Sequence, residues 1–276
     1  MEKSLIRAIQ TKLQELSFYA GAIDGLRGPI TDGAALKGLE ASATALPADW
    51  QNWSSKRHFI AYIQVLATEM GIESGQIDGR WGPQTEFAAS QLEAKLTTGV
   101  LPPPWRDIVP LEANPNAWPT QADVSSFFGP HGEPDGSFSP PIVRVECPWQ
   151  LKIAWNLNQK TSSISIHEKC ADSLGRVLAK IHSVYGSAEI SRLRLDYYGG
   201  SYMPRSMRGG TRWSMHSWAI AIDWDPANNR LNWNREQASL DDTIYDDWWK
   251  AWEEEGWLSL GRARNFDWMH VQAAKL

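Results

Sequence analysis

The chain of 276 residues has only two cysteines, no apolar run long enough to span a bilayer and no cluster of Lys and Arg. Each absence removes a class of protein. Two thiols, Cys147 and Cys170, cannot build a disulfide framework at this length, and their separation of 23 residues is not a zinc-knuckle spacing. Two buried free thiols are expected, with a single bridge as the alternative. A spanning helix needs about 20 consecutive apolar residues, so no membrane insertion is expected. A net charge of -5 without a basic patch argues against a nucleic-acid partner. The opening MEKSLIRAIQTKLQEL is amphipathic and charged throughout, without the apolar core of a signal peptide. A soluble, monomeric chain made in the cytoplasm is expected; to act outside, it would need another route of release.

What is abundant is tryptophan, with sixteen residues, most of them expected in the core because each buries a large area. A few could line a substrate groove.

The front of the chain repeats. AIQTKLQELSFYAGAIDGLRGPIT and YIQVLATEMGIESGQIDGRWGPQT share Ile-Gln, Gly, Asp-Gly, Gly-Pro and Thr at a constant offset of 54. In each copy a first helix carries an apolar face (Leu5, Ile9, Leu13, Leu16; then Ile60, Ile63, Leu66, Met70). Asp-Gly then turns the chain, and Gly-Pro opens a second helix with proline pre-set for its first turn. That helix carries Ala34, Ala35 and Leu39, or Phe87, Ala88 and Leu92. The expectation is two small all-α repeat units, residues 1–48 and 49–98. A stretch with six prolines, 99–119, then reads as a linker, and 120–276 as a second domain.

In the second domain, IHEKCADSLGRVLAKIHSVYG has Leu174, Val177, Leu178, Ile181 and Tyr185 at helical spacing, stopped by Gly186. RLRLDYY, AIAIDWD and FDWMHVQ read as strands. DDTIYDDWWKAWEEEGW places Ile244, Trp248 and Trp252 on one helical stripe, and its acidic ends, with Asp241 and Asp242, read as solvated helix termini. Helices and strands do not alternate as βαβ units, so the domain is expected to be α+β with an antiparallel sheet.

SMHSWAIAIDWD sets His216 and Asp223 seven residues apart. Those side chains would lie about 10 Å apart along a helix or more than about 20 Å apart on a strand, so the chain must turn back if they cooperate. His216 and His270 both sit in apolar segments, where an unpaired imidazole is costly. His131 falls in a turn-rich loop, His167 near a helix cap, and His182 on the surface or edge of a helix. Asp267 precedes His270 in DWMH, the pairing expected of a metal ligand with a proton acceptor beside it. A catalytic zinc has three protein ligands and one open position. Asp225 is an alternative to Asp223 but reads better as a turn acceptor before Pro226; Ser214 reads as support for the turn.

Two resemblances rest on these motifs. IQ…IDG.WGP.T resembles the peptidoglycan-binding repeat of wall hydrolases, most closely in the second copy with Trp81; the first departs, with Leu26 where an aromatic is usual. This implies wall contact through Asp78, Gly79 and Trp81, and through Asp24 and Gly25. SMHSWAIAID and DWMH resemble the SxHxxGxAxD and (D/E)xxH motifs of the zinc D-Ala-D-Ala carboxypeptidase family, which includes vancomycin-resistance dipeptidases and phage L-alanyl-D-glutamate endopeptidases. WPTQADVSSFFGP resembles that family's leader. The resemblance implies zinc held by His216, Asp223 and His270, with Asp267 as general base and an arginine, Arg205 ahead of Arg208 and Arg212, on the substrate. Ala219 stands where the family has Gly. Asp267 in place of Glu leans towards the endopeptidases. The function implied is a zinc peptidase of peptidoglycan in a phage or prophage endolysin; a D-Ala-D-Ala carboxypeptidase and a non-catalytic wall-binding protein are the alternatives.

Overall fold

The computed structural model describes residues 1–42, 44, 46–101, 114–207 and 212–276, and the chain falls into two compact units. No described helix is long and apolar enough to cross a membrane.

The first unit is made of the two repeats. The first supplies α1 (Lys3–Glu15) and α2 (Pro29–Ala41), the second α3 (Ser55–Glu69) and α4 (Pro83–Thr98). Pro29 and Pro83 each occupy a first helical turn, as the Gly-Pro pairs predict. The helices exchange partners: α2 packs chiefly on α3, and α1 on α4. Leu5, Ile9 and Leu13 therefore share one core with Phe59, Ile63, Leu66 and Leu92. A helix pair of about 40 residues buries too little surface to stand alone, and the shared core solves that problem. Leu16 is not on the buried face; it lies past the end of α1 and is exposed.

One buried glutamine per repeat explains the repeated motif. Gln10 Oε1 accepts from the Gly25 amide at 2.8 Å, and its Nε2 donates to Asp24 Oδ1 and Thr31 Oγ1. Gln64 makes the same set with Gly79, Asp78 and Thr85. Gly25 and Gly79 have φ of +73° and +65°, and a Cβ there would meet the carbonyl oxygens of Lys3 and Arg57 at 2.6 and 2.5 Å. Glycine is needed both for the turn and for the close approach to the first helix. The offset of 54 also matches Trp81 to Arg27, not to Leu26, which is the counterpart of Arg80. Arg27 forms a fork with Asp32 at 2.6 and 2.9 Å.

The second unit is α+β. Asn114–Pro119 belongs to it rather than to a linker: Trp118 is buried and Asn116 bonds Ser173 and Glu255. Residues 102–113 of the expected linker lie outside the described residues. A short helix α5 (Val124–Phe128) leads to a long hairpin, β1 (Ile142–Ile153) and β2 (Asn156–His167), that local pattern did not reveal. Their register shifts between Glu146 and Leu151, around Pro148. α6 (Ala171–Arg192) packs on β1 and is broken at Gly186, φ 65° and ψ 164°, the position expected to stop it. RLRLDYY is not a strand throughout. Arg194 takes a positive φ, Leu193 and Leu195 turn inward, and only β3 (Tyr197–Tyr198) pairs, in parallel with β1.

The second sheet is antiparallel, in the order β4 (Ala221–Asp223), β6 (His270–Gln272), β5 (Leu258–Ser259). α7 (Asp246–Glu254) supplies part of an aromatic core in which Trp224, Trp248, Trp249, Trp252, Trp257 and Trp268 are fully buried, with Trp224 and Trp248 edge to face at 5.0 Å. Ile244 precedes α7 and is exposed, so it is not part of the buried stripe. The acids at the end of α7 are not all solvated. Glu253 is buried in a fork with Arg262, and Glu255 joins Arg176, Asn116 and Ser173. Cys147 and Cys170 are buried free thiols, and burial pushes Cys147 up to about 12.

Candidate metal centre

His216 lies on a single 3₁₀ turn, Met215–Trp218. The Ser214 hydroxyl caps it, accepting from the His216 amide. Ala219 ends it in the left-handed region, φ 55° and ψ 41°. That residue turns the chain back into β4, so Asp223 returns to His216. Ala219 is fully buried and its carbonyl accepts from the His167 amide, so tertiary contacts hold it in a conformation that costs an alanine about 1–2 kcal/mol. His270 arrives by strand pairing, as Asp223 and His270 are opposite one another in the β4–β6 ladder.

Three side chains distant in sequence thus meet. His216 Nε2 is 3.1 Å and His270 Nδ1 3.0 Å from Asp223 Oδ1. The rings stand edge to face with centroids 5.0 Å apart, and all three potential ligand atoms lie within 4.8 Å of one another. Bonds of 2.0–2.1 Å to a tetrahedral zinc separate its ligand atoms by about 3.3 Å, so the spacing suits that ion.

The outer face of each imidazole fixes the inner one. His216 Nδ1 is 3.1 Å from the Ser201 carbonyl, which can only accept, so that nitrogen carries the proton. His270 Nε2 is 3.2 Å from Gln272 Oε1. Gln272 Nε2 donates to the Ala274 carbonyl, which points the amide oxygen at His270. Both inner nitrogens therefore present lone pairs towards a carboxylate oxygen, an arrangement that needs a cation or a proton between them. Burial acts to raise the Asp223 carboxyl; with protons rather than a cation in that gap, the charged His216 and His270 hold it well below the usual carboxylate range.

The surroundings are packed tightly. The Asp223 amide donates to the Gly200 carbonyl, and the Asp223 carbonyl accepts from Gly199 at 2.7 Å. A Cβ on Gly199 would lie 2.9 Å from that of Asp223. The Ser201 hydroxyl bonds Tyr198 Oη at 2.6 Å and the Ser165 carbonyl on β2.

Asp267 is buried with φ 54°, and its carbonyl accepts from the His270 amide. The Arg205 backbone is bonded to Ser214 and Ser217 of the His216 turn, while its guanidinium donates to the Ser206 carbonyl. Arg208 lies outside the described residues, and Arg212 is exposed. Asp225 is held in a fork by Arg194 at 2.6 and 2.7 Å. His131 stacks on Trp213 at 3.9 Å, and His167 bonds the Phe128 carbonyl. In the first unit Asp24 and Gly25 are bonded to Gln10 and Asp78 and Gly79 to Gln64, each on the first helix of its own repeat, whereas half-buried Trp81 lines a hollow with Ile6, Arg27, Lys56, Phe59 and Ile60.

Sequence reasoning missed Gln272 and Ser201. Gln272 had a signal: two residues after His270 on a strand, it shares that residue's face. Ser201 contributes a main-chain oxygen, which no residue type announces.

Comparison with protein-family models, curated proteins and solved structures finds no match to the chain.

Proposed function

We propose that the chain is a zinc-dependent peptidase of bacterial peptidoglycan, of the endopeptidase type, working as a modular phage or prophage endolysin. The observation that carries this reading is the convergence of His216 Nε2, His270 Nδ1 and the Asp223 carboxylate, with both outer imidazole nitrogens tied to acceptors. A buried set of two nitrogens and one carboxylate suits zinc, and three protein ligands leave a position for substrate or water. When bound, zinc supplies Lewis-acid polarisation of a carbonyl and lowers the pKa of water.

The chain's own groups do the rest. Asp267, joined through its carbonyl to the His270 amide, is assigned the proton released on attack and its delivery to the departing amine. Arg205, whose backbone is bonded to the His216 turn, is assigned a substrate carboxylate or the developing oxyanion. The first unit is assigned to holding the protein on its insoluble substrate, with Trp81 as contact, which raises the local concentration of the peptidase.

The test is mass spectrometry of fragments released from purified walls, with and without a chelator. New L-Ala carboxyl and D-Glu amino ends that vanish on chelation support the reading. Free D-Ala would assign the carboxypeptidase reaction instead, and walls bound but never cut with zinc supplied would leave a binding protein.

A further inference from the structure

The turn between β1 and β2 carries Trp155, which is 69 % exposed although ten other tryptophans among the described residues are buried. Two-residue hairpin turns favour Asn, Asp and Gly, so turn chemistry does not call for an indole. Nor does packing, since burial would return about 2–3 kcal/mol for so large a side chain.

The position of the ring is informative. A Cβ on Gly200 would lie 3.7 Å from Trp155 Cη2 and Cζ3, so the outer edge of the indole rests on that glycine. The Gly200 carbonyl accepts from the amide of Asp223. The hairpin tip is anchored at the same place, because the Ala154 amide donates to the Tyr198 carbonyl at 2.9 Å. An open aromatic surface is thus joined to a candidate metal ligand through one glycine. Along the adjoining start of β2, Asn156, Leu157, Asn158, Gln159 and Lys160 are all exposed. An open indole at the tip of a strand that begins with exposed amides matches a hydroxyl-bearing ring, with an apolar face to stack and a rim of donors and acceptors.

We propose that Trp155 is a positioning residue that stacks on a pyranose ring of the glycan strand while the attached peptide reaches the metal centre. The inference rests on the peptidoglycan reading above and adds that the peptidase unit reads sugar as well as peptide.

A binding measurement tests it without catalysis. In the metal-free full-length protein, the indole N–H signal of Trp155 is identified by its loss in Trp155→Phe. Titration with the disaccharide of N-acetylglucosamine and N-acetylmuramic acid should shift that signal saturably, and a sugar-free stem peptide should not. An unmoved signal, or one moved equally by the peptide, overturns the proposal.

Kinetics give a second arm. Trp155→Ala should raise KM for a disaccharide-linked peptide about tenfold, equivalent to about 1.4 kcal/mol. It should leave kcat, zinc content and turnover of the sugar-free peptide unchanged, and Trp155→Tyr should recover most of the loss. Equal loss on both substrates, or none on either, refutes the assignment. A parent that cuts neither substrate refutes the peptidase reading, and the disaccharide titration then decides this one alone.

Discussion

Asp223 and His270 face one another across two antiparallel strands, with His270 Nδ1 3.0 Å from the carboxylate that also receives His216. Their separation is set by the β-ladder. Asp223→Asn removes the one negative charge between two imidazoles and should lower zinc affinity by more than about 100-fold, beyond the loss typical of an outer partner. Competition against a chromophoric chelator measures it. Asp225→Asn is the control: it loosens the Arg194 fork but should leave zinc affinity at the parental value. Equal losses in the two variants would contradict the ligand assignment.

Gln272 touches no ligand atom at the centre, yet it decides which nitrogen of His270 is free. Gln272→Met keeps much of the volume and removes the acceptor, so the ring can take either tautomer. Zinc affinity should fall about 10–100-fold with a smaller effect on stability. Gln272→Glu restores an acceptor and should recover part of the loss. If the methionine variant binds zinc like the parent, the outer bond does not set the tautomer.

The local motifs were legible because short-range chemistry fixes them. Asp-Gly and Gly-Pro marked the turns of both repeats, and the spacing of His216 and Asp223 demanded a reversal that Ala219 supplies. Long-range pairing was not legible. The β1–β2 hairpin contains Pro148, a register shift and the exposed polar start of β2, so neither strand shows continuous alternation. RLRLDYY alternates but is a strand only at Tyr197–Tyr198, because Arg194 turns the chain left-handed and both leucines point inward. Glu253 and Glu255 read as solvated because their cationic partners, Arg262 and Arg176, come from other segments. The shared core of the repeats was invisible for the same reason: each helix pair reads identically, and only the fold shows that they exchange partners.

Glu255 offers a test by pH. The Arg176 guanidinium, burial notwithstanding, holds its carboxyl below the ordinary value, with help from Asn116 and Ser173. A depressed folded-state pKa contributes stability that is present above the unfolded value of about 4.3 and is lost as pH falls through the folded one. Glu255→Gln should therefore be less stable than the parent at pH 7, and the gap should close below about pH 4. Urea unfolding at a series of pH values reads it. A gap that stays constant down to pH 3 would mean that the ion pair contributes nothing.

Gln10 and Gln64 hold equivalent turns within a single core. Gln64→Leu removes the partner of the Gly79 amide, Asp78 and Thr85 at once, in a buried place. Orphaned buried polar groups cost about 1–3 kcal/mol each, and relaxation recovers part of this, so a loss of about 2–4 kcal/mol is expected. Gln10→Leu should cost a similar amount, since it breaks the same set. Because Leu13 and Leu92 belong to one apolar cluster, neither repeat can melt alone. Each variant should lower the urea midpoint of one cooperative transition for the whole unit. Tryptophan fluorescence and far-UV circular dichroism, compared across the transition, measure this. If Gln10→Leu instead splits the curve and residues of α3 and α4 keep their protected amides, the two repeats fold independently and the shared core is wrong.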